Sequence, residues 1–251
     1  PLIEKEAVSS QENGIKEGSL IRITDENGRF LGKGYYGEQN KGIGWILTRN
    51  EGESIDQSFF LSRLAKAFQA RKSLFQDPDT TAFRLFNGEG DGIGGFTIDY
   101  YDGYYLFQWY SKGIYTLKET IMEALDELTD YKAVYEKKRF NTAGQYVEDD
   151  DFVKGERGDF PIIVKENGIH FAVYSQALAY DGAMTGVFLD QRHVRKAVRD
   201  RYAEGKTALN TFSYTGAFSV AAALGGAEKT TSVDVANRSL SRTIEQFSVN
   251  G

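Results

Sequence analysis

Apolar and polar residues alternate with a period of two over Leu20-Ile21-Arg22-Ile23-Thr24, and Asn27-Gly28, the strongest short hairpin signal, follows at once. Residues 30–36 and 44–48 read as further strands, with glycines suited to bulges and tight bends. This predicts a small β-barrel over residues 1–53. From residue 54 the period changes. Ser54 and Gln57 have capping-box spacing. Phe60, Leu64, Phe68 and Phe75 then recur near one helical face, until Asp77-Pro78-Asp79 breaks the helix. Strands are expected at 81–86, 96–101 and 104–110, a helix at 116–128 and a strand at 131–137. Leu117, Ile121, Leu125 and Leu128 form the helix's apolar stripe. These elements predict a central α+β domain over 54–155.

The pattern over 156–251 differs again. A hairpin spans 160–174 around Asn167-Gly168, with Ile163, Ile169, Phe171 and Val173 alternating. A helix reaches to about residue 202, with Val194, Ala197 and Val198 expected inward and Arg192, Arg195, Lys196 and Arg199 on the other side. Residues 207–234 read as strand, tight turn, helix, strand, a βαβ unit. A last helix, about 237–248, carries Leu240, Ile244 and Phe247 at helical spacing. The expected fold class is therefore α/β and α+β multidomain: a small β-barrel, a central α+β domain and the N-terminal half of a Rossmann-like domain.

Composition narrows the function. The 251 residues are 41% hydrophobic, enough for globular cores. A net charge of -6 argues against coating nucleic acid by charge alone, leaving only local basic faces such as the 192–199 stripe. There are no cysteines, hence no disulfide, thiolate zinc site or cysteine nucleophile among these residues. No signal peptide or membrane-length apolar run is present, and a cytoplasmic location fits. Pro1 and Gly251 read as the ends of a piece of a longer enzyme. The acidic run 148–151 reads as an exposed linker rather than a metal site, and no metal is expected.

Two glycine-bearing turns compete for the chemistry. Gly90, Gly92 and Gly95 match the dinucleotide spacing G-x-G-x-x-G, but a β run follows them where phosphate binding needs a helix N-terminus. The turn 213–216 does precede a helix. It holds a single glycine, Gly216, and the bulky Tyr214 stands where a pyrophosphate wants bare backbone. A nucleoside without phosphates fits better, and S-adenosylmethionine is the common cofactor of that kind. Asp234, at the tip of the second strand, is placed to accept hydrogen bonds from ribose hydroxyls, and residues after it, Val235 first, line an adenine slot. Arg192 offers a planar fork to a cofactor carboxylate. Each residue has a plainer explanation: Asp234 as a helix cap, Gly216 as a turn glycine, Arg192 in a surface ion pair. Their order on one strand–turn–helix–strand frame favours the cofactor site.

Gly186-Val-Phe-Leu-Asp-Gln-Arg192, Leu209-Asn-Thr-Phe-Ser-Tyr-Thr-Gly-Ala-Phe-Ser-Val220, Gly226-Ala, Ser232-Val-Asp234 and Asn250-Gly251 resemble the class I S-adenosylmethionine-dependent methyltransferases of the large-subunit ribosomal-RNA 5-methylcytosine family. The resemblance covers nearly the whole chain. Residues 1–53 look like most of an RNA-binding PUA domain, and residues 87–92 like that family's central domain. It implies that Phe188, Asp190 and Arg192 surround the cofactor's methionine end. Asn210, Phe212, Ser213, Tyr214, Thr215, Gly216 and Phe218 form the cofactor loop, and Asp234 holds the ribose. Ribosomal RNA is the implied partner, with a homodimer left open. There are departures. Met184 stands where the family usually has a lysine, and Val187 where it has a phenylalanine. The family's Asp-Pro-Pro motif and methyl-accepting cysteines are expected beyond Gly251, so no catalytic residue is assigned and the 251 residues alone are expected to be inactive. The rival expectations are a non-enzymatic RNA-binding protein with a degenerate Rossmann-like half and, behind it, a NAD-type oxidoreductase.

Overall fold

The computed structural model describes residues 1–39, 41–140, 151–174 and 186–251. The first sheet contains β1 (Leu2–Glu4), β2 (Leu20–Thr24), β3 (Phe30–Tyr36) and β4 (Gly42–Thr48), in antiparallel order β1-β4-β3-β2. In the Asn27-Gly28 turn the Asp25 carboxylate accepts from the amides of Asn27 and Arg29. A bulge falls at Lys33/Gly34, where a side chain on Gly34 would meet the Trp45 carbonyl oxygen at 1.7 Å. Strand alternation is thus kept only by omitting a Cβ.

The central body begins with α1 (Gln57–Ala70) and α2 (Lys72–Phe75). Asp56, not Ser54, caps α1: its carboxylate accepts from the Phe59 amide at 3.1 Å. The capping-box spacing from Ser54 is therefore incidental. The five-stranded sheet comprises β5 (Ala82–Asn87), β6 (Phe96–Tyr101), β7 (Tyr104–Trp109), β8 (Ala133–Lys138) and β9 (Phe152–Gly155), in that spatial order. Between β7 and β8 come α3 (Lys112–Tyr115) and α4 (Lys118–Asp126), and that pair of strands is the parallel one. Such a crossover is what a parallel pair requires.

The glycine-rich loop 88–95 makes one 3-10 turn and enters a strand, which removes the dinucleotide reading. Its acids are structural. Asp91 receives both Arg71 guanidinium nitrogens at 2.6 and 2.8 Å, and Glu89 accepts from the Trp45 indole at 2.6 Å. Trp45, Tyr35 and Leu47 of the first sheet share one core with Phe59, Phe60, Leu64 and the inner faces of β5–β8.

A second core forms on the other face of the central sheet. There β10 (Ile162–Glu166) and β11 (Ile169–Val173) pair as a hairpin. Val164, Ile169, Phe171 and Val173 pack with Tyr101, Leu106 and Tyr135 on one side and with Val187, Ala217 and Val220 on the other. Of the four alternating residues, Ile163 alone falls on the other face and is exposed. The tight turn pairs Glu166 with Ile169, so Val164 stands opposite Phe171 and takes the buried face.

The last part contains α5 (Arg192–Ala197), continued by a π-helical turn, then β12 (Thr207–Thr211), α6 (Ala217–Leu224), β13 (Lys229–Val233) and α7 (Asn237–Ser248). β12 and β13 are parallel, with Asn210 beside Ser232. Helix α6 contacts both strands, while Leu209 and Val233 are exposed. Val194 was expected inward, yet it is 56% exposed while Arg195 is 1% exposed. The helix is phased by Arg195's ion pair, not by its apolar residues. Similarly, α7 buries Ser239, Thr243 and Gln246 and leaves Leu240 and Ile244 exposed. It docks by polar contacts: Gln246 brackets both backbone groups of Ala172, and Asn250 those of His170, along the free edge of β11.

Candidate cofactor site

The site is built by the loop between β12 and α6. Ser213 N–H donates to the Val233 carbonyl at 3.0 Å, extending the parallel pair by one residue. The backbone then alternates through left-handed conformations at Phe212 (φ 55°), Tyr214 (φ 50°) and Gly216 (φ 75°). A non-glycine residue held there costs about 1–3 kcal/mol, and such strain gathers where a ligand is bound. Asp234 holds the loop: one carboxylate oxygen accepts from the Tyr214 amide at 2.8 Å, the other from the Ala236 amide at 2.9 Å. These donors, Ala236 first, keep the Asp234 carboxyl below the usual carboxylate range.

A cleft of about 240 Å³ opens beside this loop. Of the expected residues, Phe188, Asn210, Phe212, Ser213, Tyr214, Thr215 and Phe218 line it. The rings of Phe188 and Tyr214 stand 5.4 Å apart. Thr215 donates its hydroxyl to the Gly186 carbonyl, and the Asn210 amide donates to the Ser219 hydroxyl at 3.0 Å. The Ser213 hydroxyl is buried and has no hydrogen-bond partner among the described residues.

The others stand apart from the lining. Gly216 turns the bare side of its Cα to α7, where a Cβ would lie 2.5 Å from Thr243 Cγ2. Asp234 supports the loop from behind its amides, and Val235 is fully exposed. Asp190 and Arg192 flank Gln191, which does line the cleft. Arg192 contributes, after the Asp79 amide and the Thr80 hydroxyl, to lowering the Asp77 carboxyl.

Arg195 also lines the cleft, and sequence reasoning missed it. The sequence groups it with a surface stripe, which the structure dissolves. Arg195 is buried in an ion pair with Glu166, while Lys196 and Arg199 both pair with Asp200. No signal in the spacing links Glu166 to a residue 29 positions away. Among the described residues there is no group of three or more potential metal ligands and no helix long and apolar enough to cross a membrane. Of the 148–151 run only Asp151 is described, and it is buried, not exposed; the other three, and Met184, lie outside the described residues.

The profile of the S-adenosylmethionine-dependent methyltransferases matches residues 84–251. The chain belongs to this family. A PUA-like domain profile matches residues 1–49. S-adenosylmethionine is accordingly the cofactor, and an aromatic-walled cleft with a buried hydroxyl that no described residue partners has the chemistry to fit it. Among curated relatives, the chain is 73% identical over 252 residues to YwbD of Bacillus subtilis (strain 168), named as a candidate ribosomal RNA large subunit methyltransferase. It is 35% identical over 254 residues to ribosomal RNA large subunit methyltransferase I of Alteromonas mediterranea. Both matches take in all of this chain but only 63% and 62% of the relatives' length. A crystal structure of SMU.776, described as a candidate methyltransferase complexed with SAH (S-adenosylhomocysteine), is 37% identical with a TM-score of 0.88. The match covers 99% of this chain and 62% of that one.

Proposed function

We propose that these residues form the RNA-presenting front and the cofactor-binding half of an enzyme that methylates a cytosine of large-subunit ribosomal RNA. The names of the two curated relatives and the PUA-like profile support the substrate. In this reading the chain divides into a PUA-like part (1–53), a central part (54–155) and the start of the methyltransferase part (156–251). It acts in the cytoplasm.

The observation that carries the cofactor placement is the buried, unpartnered Ser213 hydroxyl in a cleft wall whose loop Asp234 holds in strained form. Phe188 and Tyr214 give the aromatic walls, and Asn210, Phe212, Ser213, Thr215, Gly216 and Phe218 the loop. A carboxylate has about four lone-pair sites. Asp234 accepts from the Tyr214 and Ala236 amides, and the Ser239 hydroxyl and Val235 amide also bear on its carboxylate; in this reading the ribose hydroxyls take the places of these last two donors. Val235 sits towards the adenine, and Asp190 and Arg192 towards the methionine end.

When bound, the cofactor supplies a methyl group on a positively charged sulfur. The chain's own residues bind it, orient it and exclude water from one side of it. The target base must leave its stack to reach such a cleft. The 251 residues hold no cysteine, so a thiolate that activates the cytosine ring belongs to residues outside them. Calorimetric titration tests the cofactor site. S-adenosylhomocysteine is expected to bind and NAD to give no heat, and Asp234→Ala to weaken binding more than the exposed Glu228→Ala. Binding of NAD alone, or equal effects of the two substitutions, would overturn the assignment.

A further inference from the structure

Arg195 reaches three elements from within α5. Its Nε and Nη2 donate to the two Glu166 oxygens at 2.7 and 2.6 Å, and Nη2 also donates to the Phe188 carbonyl at 2.6 Å. Its guanidinium lies 5.8 Å from the Phe171 ring centre and 5.6 Å from that of Phe218. Both charges of the pair are almost wholly removed from water. Stability alone is a weak reason for such a pair, since apolar residues of similar volume often serve as well or better. What apolar residues cannot do is donate to a carbonyl.

That carbonyl belongs to a wall of the cleft. The Phe188 ring is part-exposed and so is not fixed by burial. Its backbone oxygen takes the Arg195 donor, with the Gln191 amide at 3.2 Å as the only other one among the described residues. On the opposite side, Arg195 packs against Phe218, a second wall residue. Glu166, for its part, does not float. Its neighbour Lys165 exchanges hydrogen bonds with Thr81, and the Asn167 amide donates to the Thr80 hydroxyl. Thr80 and Thr81 lead directly into β5 of the central sheet.

We propose that Arg195, oriented by Glu166, is a positioning residue for the cofactor: it fixes the Phe188 wall of the cleft and ties that wall to the central body. This rests on the reading that the cleft holds S-adenosylmethionine. Lysine is not an equivalent, because a single ammonium lacks the planar fork that serves both carboxylate oxygens while reaching a carbonyl.

The test measures S-adenosylhomocysteine affinity by calorimetry well below the melting temperature, with circular dichroism reporting the folded state. Three variants are compared with the unaltered chain. Phe188→Ala changes the wall directly and reports whether the cleft is the site. Arg195→Lys keeps the charge but loses the fork, and affinity is expected to fall about tenfold. The double variant Glu166→Met with Arg195→Met removes both charges. It is expected to melt near or above the unaltered chain yet still bind about tenfold more weakly, because the Phe188 carbonyl keeps only the longer Gln191 bond and loses its tie to the central body. A merely structural pair would move the melting temperature and leave the affinity of the folded protein alone. If Phe188→Ala weakens binding while the double variant binds normally, the positioning role is wrong and the site assignment stands. If the unaltered chain does not bind, or Phe188→Ala binds as tightly, the site assignment itself fails and takes the positioning role with it.

Discussion

Replacing Gln246 with leucine isolates what holds α7 in place. Gln246 is 0% exposed. Its side-chain oxygen accepts from the Ala172 amide and its nitrogen donates to the Ala172 carbonyl, both at 2.8 Å. Leucine has similar bulk, so little packing is lost, but it strands one buried donor and one buried acceptor. Leaving such a group unsatisfied costs about 1–3 kcal/mol, so the pair is worth about 2–6 kcal/mol. Asn250 makes the same two bonds to His170 at 2.9 and 2.8 Å, but it is only half-buried, and water can replace part of what is lost. Asn250→Leu is therefore expected to cost less than Gln246→Leu. Urea denaturation followed by circular dichroism measures the difference, and hydrogen exchange at the Ala172 amide localises it. Gln246→Glu sharpens the test: a carboxylate can accept from the amide but has no proton for the carbonyl. Its folded pKa is thereby raised, so its deficit shrinks as pH falls through that value, when the acid becomes protonated and can donate. A leucine variant as stable as the parent, with unchanged exchange at Ala172, would refute the claim that polar contacts dock this helix.

Asp56→Ala should cost about 1 kcal/mol of stability through loss of the α1 cap, whereas Ser54→Ala should change little; equal effects in denaturant melts would restore the capping-box reading. Gly216→Ala forces a Cβ into Thr243 at a positive φ and is expected to destabilise the chain by about 1–3 kcal/mol, with partial relief when Thr243→Ser is added. The Asp234 carboxyl is held below its ordinary value of 3.8, so its contribution is fully present above that pH and fades as pH falls through the lowered value. Asp234→Asn should flatten this acid-side slope in denaturant melts at graded pH, and an unchanged slope would remove Asp234 from the loop's support.

The pattern of the chain disclosed the elements better than their faces. Period-two alternation and the Asn-Gly turns located β2, β3, β10 and β11, and a strand after the glycine-rich loop was enough to exclude dinucleotide binding. The strand–turn–helix–strand frame of the proposed cofactor loop was legible because its parts are local: a lone glycine, a following helix and an acid at the next strand's tip sit within a short stretch. Faces failed where polar contacts outrank apolar burial. Val194 and Ile244 are exposed because Arg195 and Gln246 set the phase of their helices. Those anchors depend on Glu166 and Ala172, residues 29 and 74 positions away, and neither side of either contact carries a local signature. Asp234 illustrates a mixed case: it bonds amides much as a cap would, but one of them belongs to the loop between β12 and α6, 20 residues earlier.

The cleft between Phe188 and the 210–218 loop is the proposed seat of the cofactor. Amide chemical shifts of the 15N-labelled chain, recorded during titration with S-adenosylhomocysteine, test it residue by residue. Saturable shifts are expected at residues 187–191, 210–218 and 234–236, with little change at the glycine-rich loop 88–95. Shifts centred on that loop, or none at saturating ligand, would contradict it.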